Sequence, residues 1–233
     1  ELQHRVKNHL AMVVSMIRMQ ARREVSAEAF TDLGYRIEAL SLLYDELFET
    51  SRNADGKLPA DVGADTYLTR VARAVAGIEA REEVALDLET EAIRLPFDTT
   101  ARLGLLLSEF MTNAYKHAFD GRESGRIAVR LAWASDGGGV RLEVEDDGVG
   151  LPAGSAWPTD ADSLQDQHRR AATSDEMHGA AGLGGSIVEG LTRSIGGRLS
   201  VQSDGARGTC FALDLPAEAA RDHRGRSPRS EAG

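Results

Sequence analysis

Apolar residues in the first fifty positions recur at alternating steps of four and three. Leu2, Val6, Leu10, Val13 and Ile17 form one series, and Leu33, Ile37, Leu40, Tyr44 and Leu47 a second, with a polar stretch at 22–28 between them. Such steps keep side chains on one stripe of a helix, so the spacing predicts an antiparallel helical hairpin over 1–52. Two helices with one stripe each enclose little core. The expected solution is a four-helix bundle with a second copy, and the alternative is an arm packed on the rest of its own chain. The turn-rich SRNADGKLPADVG that follows predicts a linker over 53–64.

Beyond it the pattern changes to helix alternating with strand. A helix fits 65–78, and the alternation in VALDLET predicts a strand over 84–90. A long helix is expected over 98–119. IAVRLAW and VRLEVE form a hairpin through the glycines at 137–139, and a helix at 186–195 with the strands LSVQS and CFALDL completes the set. Mostly antiparallel strands with interspersed helices predict an α+β domain over 65–216, with helices on one face of a mixed sheet. The stretch 217–233, which ends in RDHRGRSPRSEAG, has no apolar periodicity and is expected to be a disordered tail.

At 233 residues the chain can bury a sizeable core, and 42% hydrophobic with 27% charged residues is the balance of a soluble globular protein. A net charge of -10 excludes a general nucleic-acid binder, which needs a basic surface, so a bound anion must be held by local geometry. The single cysteine, Cys210, forms no internal disulfide and has no partners for a metal site. No apolar run approaches the roughly 20 residues that cross a bilayer, so a cytoplasmic location is expected. The helical pattern is already running at residue 1 without an initiator Met. That leads to the expectation of an upstream part, a sensor or a membrane anchor, outside this sequence.

Candidate chemistry sits at the ends of the predicted elements. In SEFMTNAYKHAF on the long helix, Glu109, Asn113 and Lys116 are spaced to share one face, either as a solvated edge or as a functional one. In VEDDGVGLP, Asp146 ends a strand ahead of Gly148 and Gly150; a carboxylate there accepts a hydrogen bond from an exocyclic amine, or caps a turn. In GLGGSIVEGL, glycines 182, 184 and 185 run into a helix whose first N–H groups can cradle phosphate oxygens, although the spacing is neither a P-loop nor G-x-G-x-x-G. In GARGTCFALDLP, Gly208 and Thr209 turn into the last strand.

The order E-x-x-x-N, D-x-G-x-G, G-x-G and G-T over about residues 60–216 resembles the boxes of the GHKL ATP-binding fold of histidine kinases, gyrase-type ATPases and Hsp90. The H-R-V-K-N at His4 to Asn8, ahead of a helical hairpin, is similar to the phosphoacceptor box of the HRXXN and HWE group of sensor histidine kinases. This resemblance implies a GHKL (Bergerat-type) α/β sandwich and a homodimeric kinase that phosphorylates His4 from ATP and Mg2+. It then passes the phosphoryl group to an aspartate of a response regulator receiver domain.

By the same resemblance Asn8 sits beside His4 and helps dephosphorylate a partner. Asn113 is the magnesium ligand, and Glu109 an acid near the metal and γ-phosphate that acts on the ion indirectly. Asp146 reads adenine, with Gly148 and Gly150 lining the base pocket; Gly182, Leu183 and Gly184 lie along the phosphates, and Thr209 belongs to the final box. Lys116 and His117 are nearby polar contacts. Arg5 stands where most histidine kinases carry an acid, LEVEDDG lacks the W-x-E of strict HWE kinases, and 151–181 reads as a long mobile lid with a basic pair at Arg169 and Arg170. A relay or phosphatase module, and a serine kinase or ATPase of the same fold, are the alternative functions.

Overall fold

The computed structural model describes residues 11, 13–15, 27–53, 60–79, 81–134, 139–151, 183–203, 208–217 and 221–222. Most of the first predicted helix lies outside them. The second is present as α1 (Ala27–Asn53), and it packs on the rest of its own chain. Tyr35, Ala39, Leu40 and Leu43 are buried in the same core as the helices that follow, whereas Ile37 from the predicted seam is exposed. The inward face is set by steps of three and four from Tyr35 and includes Arg36, which a hydrophobic pattern passes over.

Helix α2 (Ala64–Glu79) buries Tyr67, Leu68, Val71, Ala72 and Val75, one stripe of an amphipathic helix. Helix α3 (Phe97–Asn113) follows Pro96, whose fixed φ suits a helix entrance, and carries Asp98 in its first turn, where a carboxylate complements the positive end of the helix dipole. It is buried almost all round, as the central helix of a layer must be. Tyr67 passes over Gly104 of α3, where a Cβ would lie 1.9 Å from its hydroxyl oxygen, and donates to the carbonyl of Ala39 on α1 at 2.9 Å. Three helices are thus joined at one point.

The sheet has the order β2 (Val84–Thr90), β4 (Gly125–Trp133), β5 (Gly139–Asp146), β7 (Thr209–Pro216), β6 (Arg198–Ser203). The β2–β4 pair is parallel and the other pairs antiparallel, as expected for a mixed sheet. Alternate residues of β4, β5 and β7 (Val129, Leu142, Leu213) face the helices, and Phe110 of α3 stacks on Phe211 with ring centroids 4.9 Å apart. The opposite face carries the pairs Arg126–Asp87, Arg130–Glu145 and Arg141–Asp214.

Short strands correct the expectations of irregular chain. A second sheet, β1 (Asp61–Gly63), β3 (Ile93–Pro96) and β8 (Arg221–Asp222), puts β1 inside the stretch expected as linker and β8 inside the expected tail. Strands of two to four residues show too few alternations to register as a pattern. The long helix is corrected too: its α-helical part ends at Asn113 and continues as a π-helical turn, Ala114–Ala118. Among the described residues no helix is long and apolar enough to cross a membrane.

Candidate functional site

Two of the predicted motifs meet because β5 and β7 are antiparallel neighbours, with Glu145 opposite Cys210. That register brings Thr209 beside Asp146. Oδ1 of Asp146 accepts the backbone N–H of Gly148 at 2.9 Å and that of Thr209 at 3.2 Å. Asp146 is 3% exposed. Burial raises its pKa above the ordinary carboxylate range, the two N–H bonds pull it back, and the neighbouring charges of Asp147 and Glu145 add to the rise.

The glycines of this loop are required by close approach. A Cβ at Gly148 would lie 2.2 Å from the carbonyl oxygen of Ala118, and one at Gly208 would lie 1.8 Å from that of Asp146 with φ at +89°. Gly150 also has a positive φ, +74°. The same carbonyl of Ala118 accepts the N–H of Val149 at 2.8 Å. The end of the Glu-Asn helix and the D-x-G-x-G loop are therefore welded through backbone, at a carbonyl that belongs to the π-helical turn. Such wide turns concentrate at functional sites.

Glu109 is 6% exposed, which excludes the solvated helix edge. Its Oε1 accepts Nε of Arg36 from α1 at 2.5 Å, and Arg36 is itself 2% exposed. Asn113, one turn on from Glu109, is half-buried at the end of α3. Lys116 in the π-helical turn pairs with Asp32 of α1, and His117 is exposed. Leu183 and Gly184 open helix α4 (Leu183–Ser194), three residues earlier than the periodicity suggested, and α4 packs on α3. His4, Asn8, Gly182 and the predicted lid beyond Leu151 lie outside the described residues.

Sequence reasoning missed Arg36 and Asp32. The predicted seam runs through Leu33, Ile37 and Leu40, so Arg36 falls beside it, and only the burial of Tyr35 and Ala39 shows that it lies on the inward face, where a charge needs a partner.

Comparison with known proteins adds the family. Residues 98–219 match the model of the histidine kinase-, DNA gyrase B- and HSP90-like ATPases, and residues 1–75 match a model described as histidine kinase. The blue-light-activated histidine kinase 2 of Erythrobacter litoralis (strain HTCC2594) is 37% identical over 219 residues, 93% of this chain and 56% of the relative. The sensor histidine kinase PdtaS of Mycobacterium tuberculosis (strain ATCC 25618 / H37Rv) is 30% identical over 78% of this chain and 36% of its own length. The chain thus spans about half, or less, of the curated relatives it matches. Among solved structures, the histidine kinase domain of the Erythrobacter litoralis EL346 blue-light activated histidine kinase is similar with a TM-score of 0.69 and 36% identity, covering 93% of this chain and 91% of that one.

Proposed function

The chain belongs to the histidine kinase family, and from that premise we propose that it is the kinase core of a two-component sensor, phosphorylating His4 from ATP and passing the phosphoryl group to an aspartate of a response regulator receiver domain. The observation that carries the ATP half of this reading is the Asp146 loop. Both backbone bonds fall on Oδ1, so Oδ2 is the oxygen that accepts from the exocyclic amine of adenine.

The other residues take roles in keeping with their chemistry. The opening of α4, with Leu183 and Gly184, offers backbone N–H groups to the phosphates. Asn113 supplies a hard amide oxygen of the kind magnesium takes, and Glu109 acts near that ion indirectly. Bound magnesium neutralises charge across the phosphates. The imidazole of His4 forms a bond to the γ-phosphorus as the bond to the ADP oxygen breaks.

The exposed side chains Phe30, Ile37 and Phe48 support pairing with a second copy. They are 65%, 48% and 51% exposed and recur at seven and eleven residues, which puts them on the face of α1 turned away from the core. An upstream sensor domain and a cytoplasmic location of this core complete the reading.

Labelled ATP with magnesium should give an acid-labile, base-stable phosphoprotein, and His4→Gln should abolish the label. Equal labelling of that variant would overturn the assignment of His4, and label on a partner's serine with none on His4 would replace this reading with the serine kinase one.

A further inference from the structure

The charges that tie α1 to the Glu-Asn helix follow an order. Asp32 precedes Arg36 by one turn on α1, Glu109 precedes Lys116 by two turns on α3 and its π-helical extension, and the pairs formed are Arg36–Glu109 and Asp32–Lys116. The earlier residue of each helix meets the later residue of the other, so the two run antiparallel where they touch. Sliding α1 one way brings Asp32 toward Glu109, and sliding it the other way brings Arg36 toward Lys116. Each slip sets like charges together, and the seating of α1 is fixed by charge as well as by shape.

Stability alone does not account for the inner pair. Arg36 and Glu109 are both more than nine-tenths buried, and Nη1 of Arg36 is buried without a hydrogen-bond partner among the described residues. Apolar side chains of similar volume serve a core at least as well as a buried ion pair, because desolvation offsets the attraction. What the pair does provide is a fixed carboxylate. Glu109 lies one turn from Asn113, at the phosphate end of the site.

We infer that Arg36 is a positioning residue for phosphoryl transfer: it holds the Glu109 carboxylate in place, and thereby makes the phosphate end of the site depend on how the phosphoacceptor hairpin is seated. The inference rests on the kinase reading above. Arg36 acts through Glu109, the residue its guanidinium bonds.

The test uses the full chain with labelled ATP and magnesium. Labelling rate at saturating ATP, half-saturation, and calorimetric affinity for a non-hydrolysable ATP analogue are measured for the parent, R36K, R36Q, E109Q and each Arg36 variant combined with E109Q. R36Q should lower the saturated rate about 10- to 100-fold, the loss expected for one charged hydrogen bond, with analogue affinity within about two-fold of the parent. R36K should recover part of the rate, and in the E109Q background substitution of Arg36 should have no further effect. Should R36Q fail to fold, as thermal melting will show, R36K and its combination with E109Q decide the matter alone. Folded Arg36 variants that label at the parental rate would overturn the inference. So would a loss confined to ATP affinity, or losses that multiply with that of E109Q. A parent that never labels His4 would remove the kinase reading itself, whereas a labelling parent with unaffected Arg36 variants removes only the role of Arg36.

Discussion

At the Asp146 loop the partners are backbone groups: the N–H of Gly148 two residues on in the loop, the N–H of Thr209 on the neighbouring strand, and, for Val149, the carbonyl of Ala118 in the π-helical turn. At the Glu109 end they are side chains, contributed by a helix that lies 73 residues earlier in the case of Arg36 and 84 in the case of Asp32. Bonds made by backbone groups of one domain persist as long as its fold does. Long side-chain pairs persist only while α1 stays seated. One end of the site is therefore built into the domain, and the other is conditional on a helix of the hairpin.

The largest effect is expected where the built-in end meets its ligand. Asp146→Asn replaces an acceptor-only group by one that presents a donor to the amine, and affinity for ATP should fall about 10- to 150-fold, the equivalent of 1.5–3 kcal/mol for a charged hydrogen bond. Calorimetry checks this, and undiminished affinity would mean that adenine is read elsewhere. Next comes Gly148→Ala. Its methyl group cannot avoid the Ala118 carbonyl 2.2 Å away without moving backbone, and overpacking of this kind costs about 1–3 kcal/mol. The melting temperature should drop by about 2–10 °C, with weaker nucleotide binding alongside. Unchanged melting would show that the weld between loop and helix is loose.

The smallest effect belongs to the outer pair of the conditional end. Asp32 and Lys116 are only partly buried, with side chains 28% and 24% exposed, so Lys116→Asp should cost about 0.2–1 kcal/mol of stability. Restoring complementarity with Asp32→Lys in the same chain should recover most of it by thermal melting. A double variant no better than the single would show that the pair has no part in seating α1.

What the sequence revealed and what it hid follow the same division. Asp146, Gly148 and Thr209 were legible because a strand end followed by spaced glycines is a local pattern, and the β5–β7 register then brings the pieces together. Glu109 and Asn113 were legible as a helical spacing, but whether that face met water or protein was not. Arg36 decides it, and an arginine in a helical stretch reads as surface until its neighbours Tyr35, Ala39 and Leu43 are seen to be buried. Strands β1, β3 and β8 are too short to alternate visibly, and the π-helical turn has no mark in AYKHA that separates it from an ordinary helical end.

The hydroxyl of Tyr67, reaching past Gly104 to the carbonyl of Ala39, also says where this chain can be spliced. A chimaera that joins a foreign hairpin at residue 60 would leave Tyr67, Leu68 and Val71 facing a helix they were not shaped for, and a buried hydroxyl with no acceptor. A junction ahead of Ala27 carries α1 along and keeps that seam intact. For exchanging inputs between kinases of this type, the unit to transplant begins with the second helix of the hairpin.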